Sequence, residues 1–96
     1  INFCLFLLID KPSCFIELDK LDNEDVLICK ADGNPNDFRF NWKLDSSEED
    51  LKDVVIHADF HSYLVLNSTR PNLTNYQCQV RNSVGVGNPC NRTILS

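Results

Sequence analysis

Five cysteines, two histidines and a scatter of carboxylates are the side chains of this sequence best suited to cross-linking or metal chemistry. The cysteines are Cys4, Cys14, Cys29, Cys78 and Cys90. Five in 96 residues is high for a reducing compartment and ordinary for a secreted domain, so cross-linking is the first chemistry to consider. Cys29 and Cys78 each lie in a short segment that reads as a strand, 25–31 and 76–80, and Trp42 lies in a third, 38–44. Inward cysteines from two facing sheets, about 10 Å apart, can be bridged. Closing a loop of this size stabilises a fold by roughly 4 kcal/mol on the chain-entropy model. The alternative is two free buried thiols beside an unrelated tryptophan.

The other candidate sets are poorer. On a single strand His57, Asp59 and His61 would share one face, which is a conceivable zinc set. No fourth ligand accompanies them and a turn falls in the same stretch, so surface histidines are expected and no metal. Asp45, Glu48, Glu49 and Asp50 form an acidic run without the glycine that a calcium loop needs at its sharp turn, and read as a solvated loop. There is no Gly-x-Ser-x-Gly and no phosphate-cradling loop. Cys4 has no cationic neighbour in sequence to activate it. We expect no enzymatic activity, no catalytic residues and no cofactor.

Length and charge bound the rest. Ninety-six residues make one domain, small enough for cross-links to help it. The net charge of −5 argues against nucleic acid, which needs a basic stripe, and against anionic lipid. The run Ile1–Ile9 is almost wholly apolar but too short to span a bilayer as a helix. It reads as a signal-peptide core, the last strand of a preceding domain, or a gene-model artefact. Residues 1–12 are expected to lie outside the fold as a leader or linker remnant, with the domain at 13–96.

The elements that must position these residues follow from alternation and turn chemistry. A first strand is expected at Cys14–Leu18, then a polar turn at Lys20–Glu24. In the second strand Leu27, Cys29 and Ala31 take the core face and leave Val26 and Ile28 pointing out, as normal scatter or as part of an interface. Ala31–Asp37 is a turn cluster. Phe38, Phe40, Trp42 and Leu44 share the inner face of the third strand, and Arg39, Asn41 and Lys43 the outer. Val54–Ile56 and Ser62–Leu66 are short strands. Beyond the loop 67–73, Tyr76, Cys78 and Val80 face in while Asn75, Gln77, Gln79 and Arg81 face out. Arg81–Gly87 is expected to form a hairpin with Gly85 available for a positive φ, and Gly87–Leu95 the last strand. Seven short strands with turns between them predict an all-β, two-sheet Greek-key sandwich.

Cys29-x-Ala31-x-Gly33-x-Pro35, Trp42 and Tyr76-x-Cys78-x-Val80-x-Asn82-x-x-Gly85 resemble the I-set class of immunoglobulin domains, over residues 14 to 95. In that framework the indole packs on a Cys29–Cys78 bridge and the Tyr76 hydroxyl turns back to a backbone group. Pro12-Ser13-Cys14, Asn34-Pro35 with Phe38-Arg39-Phe40-Asn41-Trp42, and Arg81–Val86 with Pro89-Cys90 resemble domains of the insect Sidestep family of axon-guidance proteins. That resemblance implies a second bridge, Cys14–Cys90, which would leave Cys4 over as a fragment edge or an intermolecular partner. It also implies recognition by Beaten-path-type receptors.

Three N-glycosylation sequons begin at Asn67, Asn72 and Asn91, and beside disulfides they favour passage through the secretory pathway. The expected setting is extracellular, in a secreted or single-pass membrane protein. The expected role is cell-surface recognition of another immunoglobulin-family protein, through the outward residues Arg39, Asn41, Lys43, Gln77, Gln79 and Arg81. The same residues also read as ordinary solvated surface. A spacer domain within a longer ectodomain is the alternative, and an intracellular muscle-type module a third. No small-molecule substrate is expected.

Overall fold

The computed structural model describes residues 10–44, 55–58, 60–66 and 73–95. Seven strands are present among them: β1 (Asp10–Leu21), β2 (Glu24–Asn34), β3 (Arg39–Leu44), β4 (Val55–His57), β5 (His61–Val65), β6 (Leu73–Arg81) and β7 (Cys90–Leu95). They form a four-stranded sheet of order β1-β2-β5-β4 and a three-stranded sheet of order β3-β6-β7. Every pairing is antiparallel.

The two sheets enclose one core, and period-two alternation decides what enters it. Ile16 comes from β1, Leu27 and Cys29 from β2, Leu64 from β5, Phe40 and Trp42 from β3, and Tyr76, Cys78 and Val80 from β6. Phe38, Leu44, Leu66 and Ile94 pack around this cluster, partly buried. The bridge between Cys29 and Cys78 ties β2 to β6, with Cα atoms 6.4 Å apart, and so ties one sheet to the other. A second bridge joins Cys14 of β1 to Cys90 of β7, with Cα atoms 5.8 Å apart.

Three local expectations are corrected. The first strand is longer than Cys14–Leu18: it begins at Asp10, runs to Leu21, and has an irregular register between Asp10 and Ser13. Pro12, which has no N–H to give a ladder, lies in that irregularity. The turn that closes the β1–β2 hairpin is Asp22-Asn23, both in the left-handed region (φ 51° and 68°). That is the backbone of the two-residue hairpin turn whose twist matches the flanking strands.

Gly85, by contrast, does not take up a left-handed φ. Its loop is held by Asn82 instead. The Asn82 Oδ1 accepts from the Val84 and Gly85 backbone N–H groups (3.0 and 3.1 Å), and the Asn82 N–H donates to the Gly85 carbonyl (3.0 Å). The side-chain amide substitutes for unusual backbone geometry.

Val26 and Ile28 lie on the face opposite Leu27 and Cys29, yet they are only 1% and 7% exposed. They belong to an inner strand of the sheet. Val26 has Asp19 and Val65 as register neighbours, and Ile28 has Glu17 and Tyr63. On the same face the Lys30 ammonium pairs with Glu17 (2.8 Å), whose hydrogen bond raises the lysine pKa above its ordinary value.

Gly87 is the glycine whose lack of a side chain the packing requires. A Cβ there would overlap the Pro12 carbonyl oxygen and lie 2.9 Å from the Pro12 carbonyl carbon. Both obstacles are backbone, so β1 would have to move away from the β6–β7 connection. Gly87→Ala is expected to lower the unfolding free energy by about 1–3 kcal/mol, the usual cost of overpacking. Urea denaturation of the two proteins measures it, and an unchanged midpoint would mean that Pro12 does not sit against Gly87 in solution.

Candidate recognition face

The outer surface of the β3-β6-β7 sheet carries the six residues singled out as partner-binding. The β3–β6 register sets Arg39 opposite Arg81, Asn41 opposite Gln79 and Lys43 opposite Gln77. The alternating pairs, Phe40–Val80, Trp42–Cys78 and Leu44–Tyr76, point the other way, into the core. Burying Trp42 and Cys78 thus fixes the outward direction of all six polar side chains. Arg39, Asn41 and Arg81 are exposed, and Lys43, Gln77 and Gln79 are half-buried. The Gln79 amide donates to the Gly87 carbonyl (3.4 Å), which restricts it.

β7 extends this face. Gln77 is opposite Asn91, and Asn75 is opposite Thr93, whose hydroxyl lies 3.3 Å from the Asn75 amide oxygen. Asn91 and Thr93 are both exposed. The sequon asparagine and the expected contact residue Gln77 are therefore cross-strand neighbours. Sequence reasoning placed each separately and missed their adjacency, because the β6–β7 register cannot be read from either strand alone. Asn67 and Asn72, the other two sequons, lie outside the described residues, as do Cys4, Asp59 and the acidic run Asp45–Asp50.

At one end of the face the surface dips into a cleft of about 250 Å³, lined by Asp37, Arg39, Arg81, Asn82 and Ser83. Asn82 is buried and its amide is committed. Beyond the Oδ1 contacts described above, its Nδ2 donates to the carbonyls of Asp10 (2.8 Å) and Pro35 (3.0 Å). One side chain thus pins the start of β1, the β2–β3 connection and the β6–β7 loop at the base of the cleft. Asp37 accepts from the Ser83 N–H (3.4 Å).

His57 and His61 are not brought together. His57 is paired with Ser62, and its Nδ1 lies 3.1 Å from the Ser62 hydroxyl on the core side. His61 is paired with Lys30 on the opposite face of the same sheet. A turn between β4 and β5 separates them, so the single-strand alternation that would align them does not hold.

Among the described residues, Cys14, Cys29, Cys78 and Cys90 are the one group of three or more potential metal ligands. Their sulfurs lie within 4.8 Å of one another. All four are joined in disulfides, the state in which they offer no thiolate. Cys29 Sγ and Cys90 Sγ, from different bridges, are 3.9 Å apart, so the two disulfides touch.

Among the described residues no helix is long and apolar enough to cross a membrane. No protein-family model matches the chain, and no curated protein matches it either.

Proposed function

We propose that this chain is an extracellular recognition domain of the immunoglobulin type, and that it binds another cell-surface protein through the outer face of β3 and β6. The observation that carries the reading is the six-residue array. Arg39, Asn41, Lys43, Gln77, Gln79 and Arg81 form one contiguous polar surface with a basic end on a chain of net charge −5. A local field opposite in sign to the whole molecule steers and orients a partner more than it adds affinity.

The strand order supports the immunoglobulin part of the reading. First, second, fifth and fourth strands in one sheet, with third, sixth and seventh in the other, is the arrangement of the constant-type immunoglobulin sandwich. So does the placement of Trp42 in the core with the β2–β6 bridge. Two disulfides in a small β domain fit an oxidising compartment. By the sequence resemblance, the partner is an immunoglobulin-superfamily receptor of the Beaten-path type and the setting is axon guidance.

A spacer role is the second reading, and one observation favours it: a glycan on Asn91 would rise from the same face, beside Gln77. One experiment separates the two. The secreted, multimerised domain is tested against a panel of immunoglobulin-family ectodomains, itself included, both as the wild type and with Asn91→Gln. Recognition predicts a partner whose affinity falls about tenfold or more, a loss of about 1.4 kcal/mol, in Arg39→Glu with the melting temperature not lowered. A blank from both glycoforms of a folded protein would sink the recognition reading and leave the spacer.

A further inference from the structure

We infer that the cleft between Arg39 and Arg81 is the seat of a single carboxylate side chain presented by the partner. The inference rests on the recognition reading above and assigns its anchor.

The two arginines are directly opposed across the β3–β6 ladder. Like charges at opposed positions repel and destabilise a strand pair. Neither guanidinium has an ion-pair or hydrogen-bond partner among the described residues, although the carboxylate of Asp37 lines the same cleft. Asp37 is turned to the Ser83 N–H instead. Two cations and one carboxylate thus border an open space of about 250 Å³ with a net charge of +1. An anion placed between the guanidiniums converts their repulsion into two charge-assisted contacts, and the planar guanidinium fork suits a carboxylate in particular.

The walls of the cleft are set before any ligand arrives. Asn82 is buried, and its amide bonds to four backbone groups drawn from three parts of the chain. A preformed wall lowers the ordering cost of binding.

The size and charge of the site select one anion over a polyanion. A sulfated polysaccharide needs a stripe of cations. Here the neighbours of the arginines on this face are the exposed Asn41 and the half-buried Gln79, the third cation of the array, Lys43, is half-buried at its far end, and the whole chain carries −5. A long anionic chain would gain two contacts and meet repulsion elsewhere. An acidic residue at the tip of a protein loop makes the same two contacts without that repulsion.

The test is a titration of the folded, disulfide-bonded domain with sodium acetate, followed by NMR of the arginine Nε–H groups. Sodium chloride at matched ionic strength is the control and heparin a second ligand. Saturable shifts of the Arg39 and Arg81 signals, together with the Ser83 amide, are expected with acetate. Affinity should fall about tenfold in Arg81→Gln, the order expected when a charge-assisted hydrogen bond is removed. Acetate shifts no larger than those with chloride, or saturable heparin binding at physiological salt, would overturn the inference.

The recognition reading fails separately. If a partner from the ectodomain panel binds through this face but is indifferent to Arg81→Gln, the carboxylate seat is wrong and recognition stands. If acetate binds and every ectodomain is refused, the seat stands as an anion site and the recognition reading falls.

Discussion

Trp42→Ala is expected to cost about 3–5 kcal/mol of unfolding free energy, the range for truncating a buried large aromatic. A domain of this size has about 5–15 kcal/mol in total, so the variant should be poorly populated in its folded form at physiological temperature. Two losses combine. The indole is 1% exposed and belongs to the core cluster formed by both sheets, so its removal leaves a cavity in that cluster. The indole N–H also donates to the Ser62 hydroxyl at 2.8 Å, and Ser62 is fully buried. Because Ser62 Oγ accepts from Trp42, its own proton is free to donate to His57 Nδ1.

The polar part can be isolated. Trp42→Phe keeps most of the apolar volume and removes the donor. It should cost more in the presence of Ser62 than in a Ser62→Ala background, where no buried acceptor is orphaned. Urea denaturation of the four proteins gives the coupling energy. A zero coupling would show that the 2.8 Å contact does not exist in solution, and a cost below about 1 kcal/mol for Trp42→Ala would place the indole outside the core.

What could be read from the sequence is what strict alternation controls. Phe40, Trp42, Tyr76, Cys78 and Val80 had to face one way once any one of them was inside, and Arg39, Asn41, Gln79 and Arg81 the other. Features that depend on what lies beside a strand were less legible. Val26 and Ile28 are on the outward face by alternation, but their burial depends on β1 and β5 lying on either side of β2. His57 and His61 are four residues apart, and only the turn between β4 and β5 shows that they take opposite faces. Gly85 looked like the residue that shapes the β6–β7 loop. The hydrogen bonds of Asn82 do that, and their partners at Asp10 and Pro35 are remote in sequence. The cleft is a product of the same remote contacts. Its two arginines were legible as outward residues, but their direct opposition depends on register.

The second large effect concerns the disulfides, and it separates two bridges that chain entropy treats almost alike. Cys29–Cys78 closes a separation of 49 residues and Cys14–Cys90 one of 76. The logarithmic dependence makes their loop terms differ by only a few tenths of a kcal/mol on roughly 4 kcal/mol each. Burial must then decide. Cys29 and Cys78 are fully buried, whereas Cys14 and Cys90 are half-buried at the sheet edges. Replacing Cys29 and Cys78 together by alanine should therefore cost the loop term and also the packing of two core sulfurs, near the upper end of about 2–5 kcal/mol. Replacing Cys14 and Cys90 should fall towards the lower end. The two double variants should not add, because Cys29 Sγ and Cys90 Sγ are in contact at 3.9 Å. Losing either bridge removes a packing partner of the other, so the quadruple variant should deviate from the sum by at least about 0.5 kcal/mol. Exposure also orders the chemistry of reduction. A dithiol reductant should open Cys14–Cys90 first, leaving Cys29–Cys78 intact until the domain unfolds, and peptide mapping after alkylation would detect that intermediate. If both bridges were lost together from the folded protein, the interior position of Cys29 and Cys78 would be wrong, and with it the core on which the outward face of β3 and β6 depends.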